Sequence, residues 1–204
     1  MEIKTLIAEK LIKPFKSSGM FNRERFWILY WAYRLTGWHI RHKEWDYVLE
    51  YFPKLHDEKQ FVRVLDVGST SSLFPYELMA RGYMVHLLDQ RPFQEKVDWF
   101  IQRDITEFEV YDKYNFVTCI SVLEHVGNDG KGDLIKQQKA LENMINSLVL
   151  GGRLLLTIPT HEFAQTHIWH GFSYSNLEEL LPENAFINDC QERAGQLCFV
   201  IEKL

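Results

Sequence analysis

From residue 61 onward, short apolar runs alternate with segments in which apolar residues recur at the spacing of a helix. The apolar runs predict seven strands, at residues 62–67, 84–88, 99–102, 116–121, 153–158, 185–191 and 196–202. Helical spacing predicts helices over 72–80, from the N-cap residue Asp133 to Gly151-Gly152, and over 177–181. Because strands and helices alternate, we expect an α/β fold with a mostly parallel sheet and helices on both of its faces.

Residues 1–59 have a different, helical and aromatic pattern. Their periodicity predicts one helix that stops at Pro14, a second that begins at Asn22, and a third that ends at Pro53. We therefore predict two units, a helical N-terminal cap over residues 1–59 and an α/β domain over residues 60–204. The simplest uses of such a cap are to cover an active site or to form the contact of a homodimer.

Composition narrows the class of protein. The 204 residues, of which 46% are hydrophobic, can build one full domain with an appendage. A formal net charge of -5 argues against a general nucleic-acid binder. The 3 cysteines have no Cys-x-x-Cys spacing, which favours reduced thiols and a cytoplasmic protein. The strongest apolar stretch, at 26–33, is far shorter than the roughly 20 residues of a transmembrane helix, so we expect at most a peripheral membrane contact.

Polar residues stand at the ends of the first two predicted strands, at the edge where parallel sheets bind ligands. Asp66 closes the first strand, and Gly68 allows a sharp turn and a close approach of the backbone to a ligand. The hydroxyls and amides from Ser69 onward could bind a polar group at a helix N-terminus. Asp89 closes the second strand about 20 residues beyond this turn, the usual position of a carboxylate that binds ribose hydroxyls. A plain strand–turn–helix junction with a serine cap is the alternative.

The next two predicted strands end in a similar way. Asp104 and Ile105 follow the third strand, where a carboxylate could accept from an adenine amino group while the apolar side chain covers the ring. Taken alone, Asp104 would more simply be an N-cap or loop residue. The fourth strand ends at Ser121 and is followed by the segment Leu-Glu-His-Val at 123–126.

In this combination the chain resembles a class I S-adenosylmethionine-dependent methyltransferase. The resemblance covers about residue 61 to the C-terminus; it includes Leu-Glu-His-Val at 123–126, common in the small-molecule branch, and Gly-Gly-Arg-Leu-Leu at 151–155. It implies a Rossmann-like sheet of seven mostly parallel strands in the order 3-2-1-4-5-7-6, with the last strand antiparallel. It also implies S-adenosylmethionine as the cofactor, bound by Asp66, Gly68, Ser69, Thr70, Asp89, Gln90, Asp104, Ile105 and Ser121.

The first turn departs from the usual Gly-x-Gly-x-Gly pattern of that family, because Thr70 and Ser72 stand at the second and third glycine positions. This departure keeps a non-catalytic protein with the same fold as an alternative. A nicotinamide-dependent oxidoreductase is another alternative, although its pyrophosphate needs the missing glycines. A Gly-Ser-x-x-Ser turn followed by Phe-Pro is similar to a branch associated with surface-glycan pathways.

The resemblance implies methyl transfer to a small-molecule acceptor, and we expect an oxygen of a sugar, a lipid-linked glycan or a similar hydroxyl compound. His125 is the first candidate for the base that takes the hydroxyl proton, because histidine titrates nearest to neutral pH. Glu124 could orient it, and His161 is expected as a second polar group in the acceptor pocket. Alternatively, Glu124 and His125 only shape the local chain and cover the cofactor. Histidines at 161, 167 and 170 also suggest metal ligands, but we favour loop histidines without a metal.

Overall fold

A computed structural model of the chain describes residues 42–53, 61–69, 72, 74–92, 98–127, 133–160, 173–193 and 195–204. The first two predicted helices lie outside the described residues. So do Thr70, His161 and the rest of the histidine-containing segment at 161–172.

Seven strands form one sheet. They are β1 (Arg63–Val67), β2 (Met84–Asp89), β3 (Phe100–Gln102), β4 (Tyr114–Ile120), β5 (Leu148–Pro159), β6 (Ala185–Arg193) and β7 (Gln196–Lys203). Their order is β3-β2-β1-β4-β5-β7-β6, with parallel pairing from β3 to β5. β7 runs antiparallel to both of its neighbours, β5 and β6. The predicted fold class is confirmed, including the strand order and the antiparallel last strand.

Four α-helices flank this sheet in the described part of the chain. They are α1 (His42–Glu50), α2 (Phe74–Ala80), α3 (Leu134–Ser147) and α4 (Tyr174–Leu180). Two single 3-10 turns, Ile105–Glu107 and Leu123–His125, follow β3 and β4. None of the helices described is long and apolar enough to cross a membrane.

The sheet has an apolar core on each face. On one face, α1 and α2 pack on the strands in a cluster that includes Trp45, Tyr47, Val48, Phe52, Val64, Phe74, Leu78, Leu87 and Phe116. On the other face, α3 packs in a cluster that includes Leu65, Val117, Leu141, Met144, Ile145, Leu154 and Phe199. Because alternate residues of a strand point to opposite faces, Val64 and Leu65 belong to different clusters. Helix α1 therefore shares the core of the sheet, while the boundary between residues 59 and 60 stays a prediction.

The end of α3 differs from the prediction. Its N-cap is Asp133 as expected, but the helix ends at Ser147, and β5 begins directly at Leu148. Leu148 has extended backbone angles and pairs with Tyr114 of β4, before an irregularity in the register. Gly151 and Gly152 lie inside β5, where Gly151 has a φ of 69°. The predicted helix end was wrong because these glycines shape an irregular strand start rather than a helix cap.

The cysteines are thiols, as predicted. Cys119 and Cys198 are buried and Cys190 is half-buried, and all three are free. Burial raises the pKa of Cys190 to about 11 and that of Cys198 to about 12. These thiols are therefore protonated near neutral pH and have little nucleophilic character.

Candidate functional site

The parallel register brings most of the predicted site residues to one edge of the sheet. Val67, the last residue of β1, pairs with Leu88 on one side and Cys119 on the other. Beyond β1 the backbone N–H of Gly68 donates to the carbonyl of Leu88, at 2.8 Å. The turn after β1 is therefore held directly beside Asp89, the last residue of β2.

Asp66 is a buried acid within β1. Its side chain accepts a hydrogen bond of 2.5 Å from the hydroxyl of Thr118 on β4. Burial raises the pKa of Asp66 to about 7, which the bond from Thr118 limits and the nearby charge of Asp89 increases. The hydroxyl of Ser69 donates to the carbonyl of Asp66 at 2.7 Å, which fixes the first turn. Asp66, one residue before the end of β1, therefore changes its protonation state near neutral pH.

Gly68 is needed for two reasons. Its φ is 77°, a conformation that residues with a side chain rarely adopt. A Cβ added there would also lie 2.4 Å from Cγ2 of Val122, in the segment after β4. The turn after β1 and the turn after β4 are therefore in contact at Gly68.

Asp89 is buried at the end of β2, and its carboxylate is held by Arg91. The backbone N–H of Arg91 donates to Oδ1 at 2.9 Å, and its guanidinium donates to Oδ2 at 3.0 Å. The Arg91 side chain is itself 58% exposed. Gln90 is exposed between them, and its carbonyl accepts a 3.4 Å hydrogen bond from the side chain of Gln102. A buried carboxylate with an exposed ionic partner can exchange that partner for ligand hydroxyls.

Asp104 has the capping role that the sequence left open. Its Oδ1 accepts from the backbone N–H and the hydroxyl of Thr106, each at 2.9 Å, and so caps the 3-10 turn after β3. Ile105 is buried in the core beside α3, and its carbonyl accepts a 2.8 Å hydrogen bond from Asn143. The turn is therefore fixed to α3, and Oδ1 of Asp104 is used locally.

Ser121, directly after β4, has a φ of 51°, which is uncommon for a residue other than glycine. Its backbone N–H donates to the carbonyl of Thr157 on β5 at 2.9 Å and to its hydroxyl oxygen at 3.1 Å. Its own hydroxyl donates at 3.0 Å to Oε2 of Glu44 on α1. The hydroxyl of Thr157 donates to the same oxygen at 2.8 Å.

Glu44 is a further acid beside these strand ends, and no motif of the sequence predicts its position there. It is only 1% exposed, although it is an acid near the start of a helix. The available signal was its spacing, since Glu44 lies four residues before Val48 on the face of α1 that carries the apolar stripe. An acid in line with an apolar stripe is a candidate for burial.

Glu124 and His125 form the 3-10 turn beyond Ser121. Glu124 is buried, whereas the side chain of His125 is 39% exposed. His125 Nε2 and Glu124 Oε1 are 4.0 Å apart. The turn is fastened to α3, because the side chain of Gln137 donates to the carbonyl of Leu123 at 3.1 Å. An accessible imidazole is thus held beside a buried carboxylate at the end of β4.

A comparison of the sequence with family models agrees with this strand order and with the acids at the ends of the strands. The family described as "Methyltransferase domain" matches residues 37–195, well over half of the chain. The chain belongs to this methyltransferase family. Comparison with curated proteins finds no match.

Solved methyltransferase structures have the same fold. The N-methyltransferase NodS from Bradyrhizobium japonicum WM9, in complex with S-adenosylhomocysteine, has a TM-score of 0.62 and 14% identity, covering 84% of this chain and 91% of that one. The 1,6-didemethyltoxoflavin-N1-methyltransferase of Burkholderia thailandensis has a TM-score of 0.62 and 16% identity, covering 89% and 86%. An S-adenosylmethionine-dependent methyltransferase from Clostridium acetobutylicum ATCC 824 has a TM-score of 0.62 and 10% identity, covering 89% and 99%. At these identities the likeness establishes the fold.

The described part of this methyltransferase places all but two of the predicted site residues in or shortly after the last residues of β1, β2, β3 and β4. Thr70 and His161 are the exceptions, since they lie outside the described residues. Within the ranges described, no group of three or more His, Cys, Asp or Glu side chains is arranged to hold a metal ion. The family match favours methyl transfer over the nicotinamide-dependent alternative.

Proposed function

We propose that this chain uses S-adenosylmethionine to methylate a small molecule, at a hydroxyl oxygen of a sugar or a similar compound. The observation that carries the proposal is the position of buried Asp89, at the end of β2 and beside the Gly68 turn. In a parallel sheet this is where a carboxylate can bind the ribose of a nucleoside. Membership of the methyltransferase family then selects the nucleoside cofactor.

The residues at the sheet edge have the chemistry that this cofactor needs. Asp89 would accept from the ribose hydroxyls in place of the exposed Arg91 side chain. Asp104 would accept from the adenine amino group through Oδ2, because Thr106 uses Oδ1. The turn from Gly68 through Ser69 and Thr70 would lie along the methionine part. Gln90, Ile105 and Ser121 would flank the bound molecule. Asp66 would hold the turn in place, since its carbonyl accepts the hydrogen bond from Ser69.

When bound, the cofactor would supply a methyl group on a positively charged sulfur. The acceptor oxygen would form the new bond to the methyl carbon, and the electron pair of the broken carbon–sulfur bond would remain on sulfur, so that S-adenosylhomocysteine is the leaving group. His125 would take the proton that the acceptor hydroxyl loses. Glu124, 4.0 Å from the imidazole, would help to hold the orientation of the ring. His161 is proposed as a further polar group of the acceptor pocket.

Two measurements test this function. Calorimetry should show binding of S-adenosylhomocysteine, and no binding would contradict the cofactor assignment. Methyl transfer from labelled S-adenosylmethionine should then be followed on a panel of sugars, nucleotide sugars, lipid-linked glycans, phenols and amines. The amines belong in the panel because two of the similar structures are N-methyltransferases by name. Transfer to a sugar hydroxyl is expected, whereas transfer confined to amines or to macromolecules would contradict the proposed acceptor.

A further inference from the structure

Glu44 lies near the carboxyl ends of β4 and β5, away from the acids that are proposed to bind the nucleoside. Within the described residues, Ser121, directly after β4, and Thr157, near the end of β5, donate hydrogen bonds to its carboxylate. The acids proposed to bind the nucleoside lie on the other side of β1, where Asp89 ends β2 and Asp104 follows β3. If the adenosine part of the cofactor lies at the ends of β2 and β3, its reacting methyl group lies toward the ends of β4 and β5.

In the described structure, the carboxylate of Glu44 accepts hydrogen bonds from neutral groups only. Both groups that donate to Oε2 are hydroxyls, at 3.0 and 2.8 Å. A buried carboxylate is costly unless it is paired with a cation or with several hydrogen-bond donors. A positive charge, or an N–H or O–H of a ligand, would complete this environment.

Attachment of α1 to the domain does not require this carboxylate. The helix already packs through Trp45, Tyr47 and Val48 in the apolar core. The hydroxyls of Tyr47, within the helix, and of Tyr51, directly after it, also donate to Asp189 on β6. An apolar residue at position 44 would serve packing at least as well as a buried acid. The φ of 51° at Ser121 adds a second sign of function, since such strained residues cluster at active sites.

We propose that Glu44 is a substrate-binding residue of the transfer site, where its carboxylate lies beside the reacting methyl group and accepts a hydrogen bond from the methyl acceptor. The proposal rests on the methyltransferase activity and adds a residue from α1 to the site at the ends of the strands. Ser121 and Thr157 are positioning residues, because their hydroxyls hold Oε2 in place.

The test uses two cofactor analogues and needs no knowledge of the acceptor. S-adenosylhomocysteine lacks the methyl group, whereas sinefungin has an amine-bearing carbon in place of the sulfur and its methyl. If Glu44 lies beside that position, its carboxylate pairs with the ammonium group of sinefungin. We expect the wild-type chain to bind sinefungin roughly ten-fold more tightly than S-adenosylhomocysteine in calorimetry.

The decisive comparison is between two glutamates of the same helix. Glu44→Gln should abolish the preference for sinefungin while it leaves the affinity for S-adenosylhomocysteine within about two-fold of wild type. Glu50→Gln makes the same chemical change at an exposed residue that pairs with Arg193, and it should keep the preference. A purely structural role of Glu44 would lower the melting temperature without changing the ratio of the two affinities.

Each outcome decides the proposal. An unchanged ratio in Glu44→Gln overturns it, and the methyltransferase assignment stands. Equal affinity of the two analogues for the wild-type chain also overturns it, even if Glu44→Gln does not fold. A wild-type chain that binds neither analogue overturns this proposal together with the cofactor assignment. Loss of the preference in Glu44→Gln alone supports it.

Discussion

The side chain of Val122 fills the space beside the α-carbon of Gly68, so that a Cβ at Gly68 would lie 2.4 Å from Val122 Cγ2. Two turns that follow different strands are thereby packed against each other at the centre of the candidate site. This contact explains why glycine remains at the first position of the turn, although Thr70 and Ser72 replace the later glycines.

Gly68→Ala should destabilise the folded chain by about 2–4 kcal/mol, measured by urea unfolding. Roughly 1–2 kcal/mol comes from the left-handed backbone, and the rest from overpacking against Val122. In a Val122→Ala background the overpacking is relieved and only the backbone cost should remain. An identical cost of Gly68→Ala in both backgrounds would show that the contact with Val122 does not matter.

Asp89→Ala should weaken binding of S-adenosylhomocysteine by at least about ten-fold, because hydrogen bonds to a charged acceptor contribute roughly 1.5–3 kcal/mol. Calorimetry measures the change. Asp98→Ala is the matched control, since Asp98 is an exposed acid that precedes β3, at the opposite edge of the sheet. Equal affinities in the two variants would remove Asp89 from the cofactor site.

Asp66 should make stability fall as the pH rises. Burial raises its pKa from 3.8 to about 7 in the folded chain, so the folded state holds a proton that the unfolded state releases between these values. The free energy of unfolding should therefore decrease from about pH 4 to pH 7, by at most roughly 1.4 kcal/mol per pH unit. Asp66→Asn keeps the size and the acceptor for Thr118, and it should remove this decrease.

The comparison of Asp66→Asn with wild type is needed because His86 acts in the opposite direction. Burial, followed by the charges of Lys113 and Arg63, lowers the pKa of His86 below 6.5. Its contribution to stability therefore rises with pH in the same range. Urea unfolding of both proteins between pH 5.5 and pH 8 isolates the effect of Asp66. Parallel curves would show that the folded chain keeps Asp66 ionised throughout.

Asp189→Ala should loosen α1. The carboxylate of Asp189 accepts hydrogen bonds from the hydroxyls of Tyr47 and Tyr51, and these bonds hold its pKa below the ordinary value. The contribution is therefore present above the ordinary pKa of aspartate and is lost in acid. At pH 7 we expect a loss of about 1–2 kcal/mol in urea unfolding. The exposed neighbour Glu192, changed to Ala, should stay within about 0.5 kcal/mol of wild type.

The sheet and the acids at its edge could be predicted because their signals are local. An apolar run that ends in an acid, such as the one closed by Asp89, indicates both a buried strand and its polar end. Asp133 is predictable as a helix cap for the same reason, since its side chain accepts hydrogen bonds from the first turn of the helix that follows it. The end of α3 is not predictable in this way, because Gly151 and Gly152 belong to an irregular strand pairing with β4, which local periodicity does not report.

The part of the site that the sequence does not predict is formed by residues that are far apart along the chain. Glu44 meets Thr157 across 113 residues, and no local pattern reports such a pair. Asp104 shows a different limit, because a cap of a short 3-10 turn and a ligand-binding acid look the same in sequence. The position of Glu44 is therefore known only from the packing of the folded chain. For Asp104, only a bound ligand can distinguish capping from ligand binding.

The placement of β7 between β5 and β6 has a consequence for the order of folding. β6 precedes β7 along the chain, yet in the described sheet it is hydrogen-bonded to β7 alone. Tyr47 on α1 bonds to Asp189 of β6, 142 residues away. Contacts of such long range form slowly, because the chain must close large loops first. We therefore expect β1, β2 and β4 to assemble early. The elements α1, β6 and β7 should then pack onto these strands in a single, last step of folding.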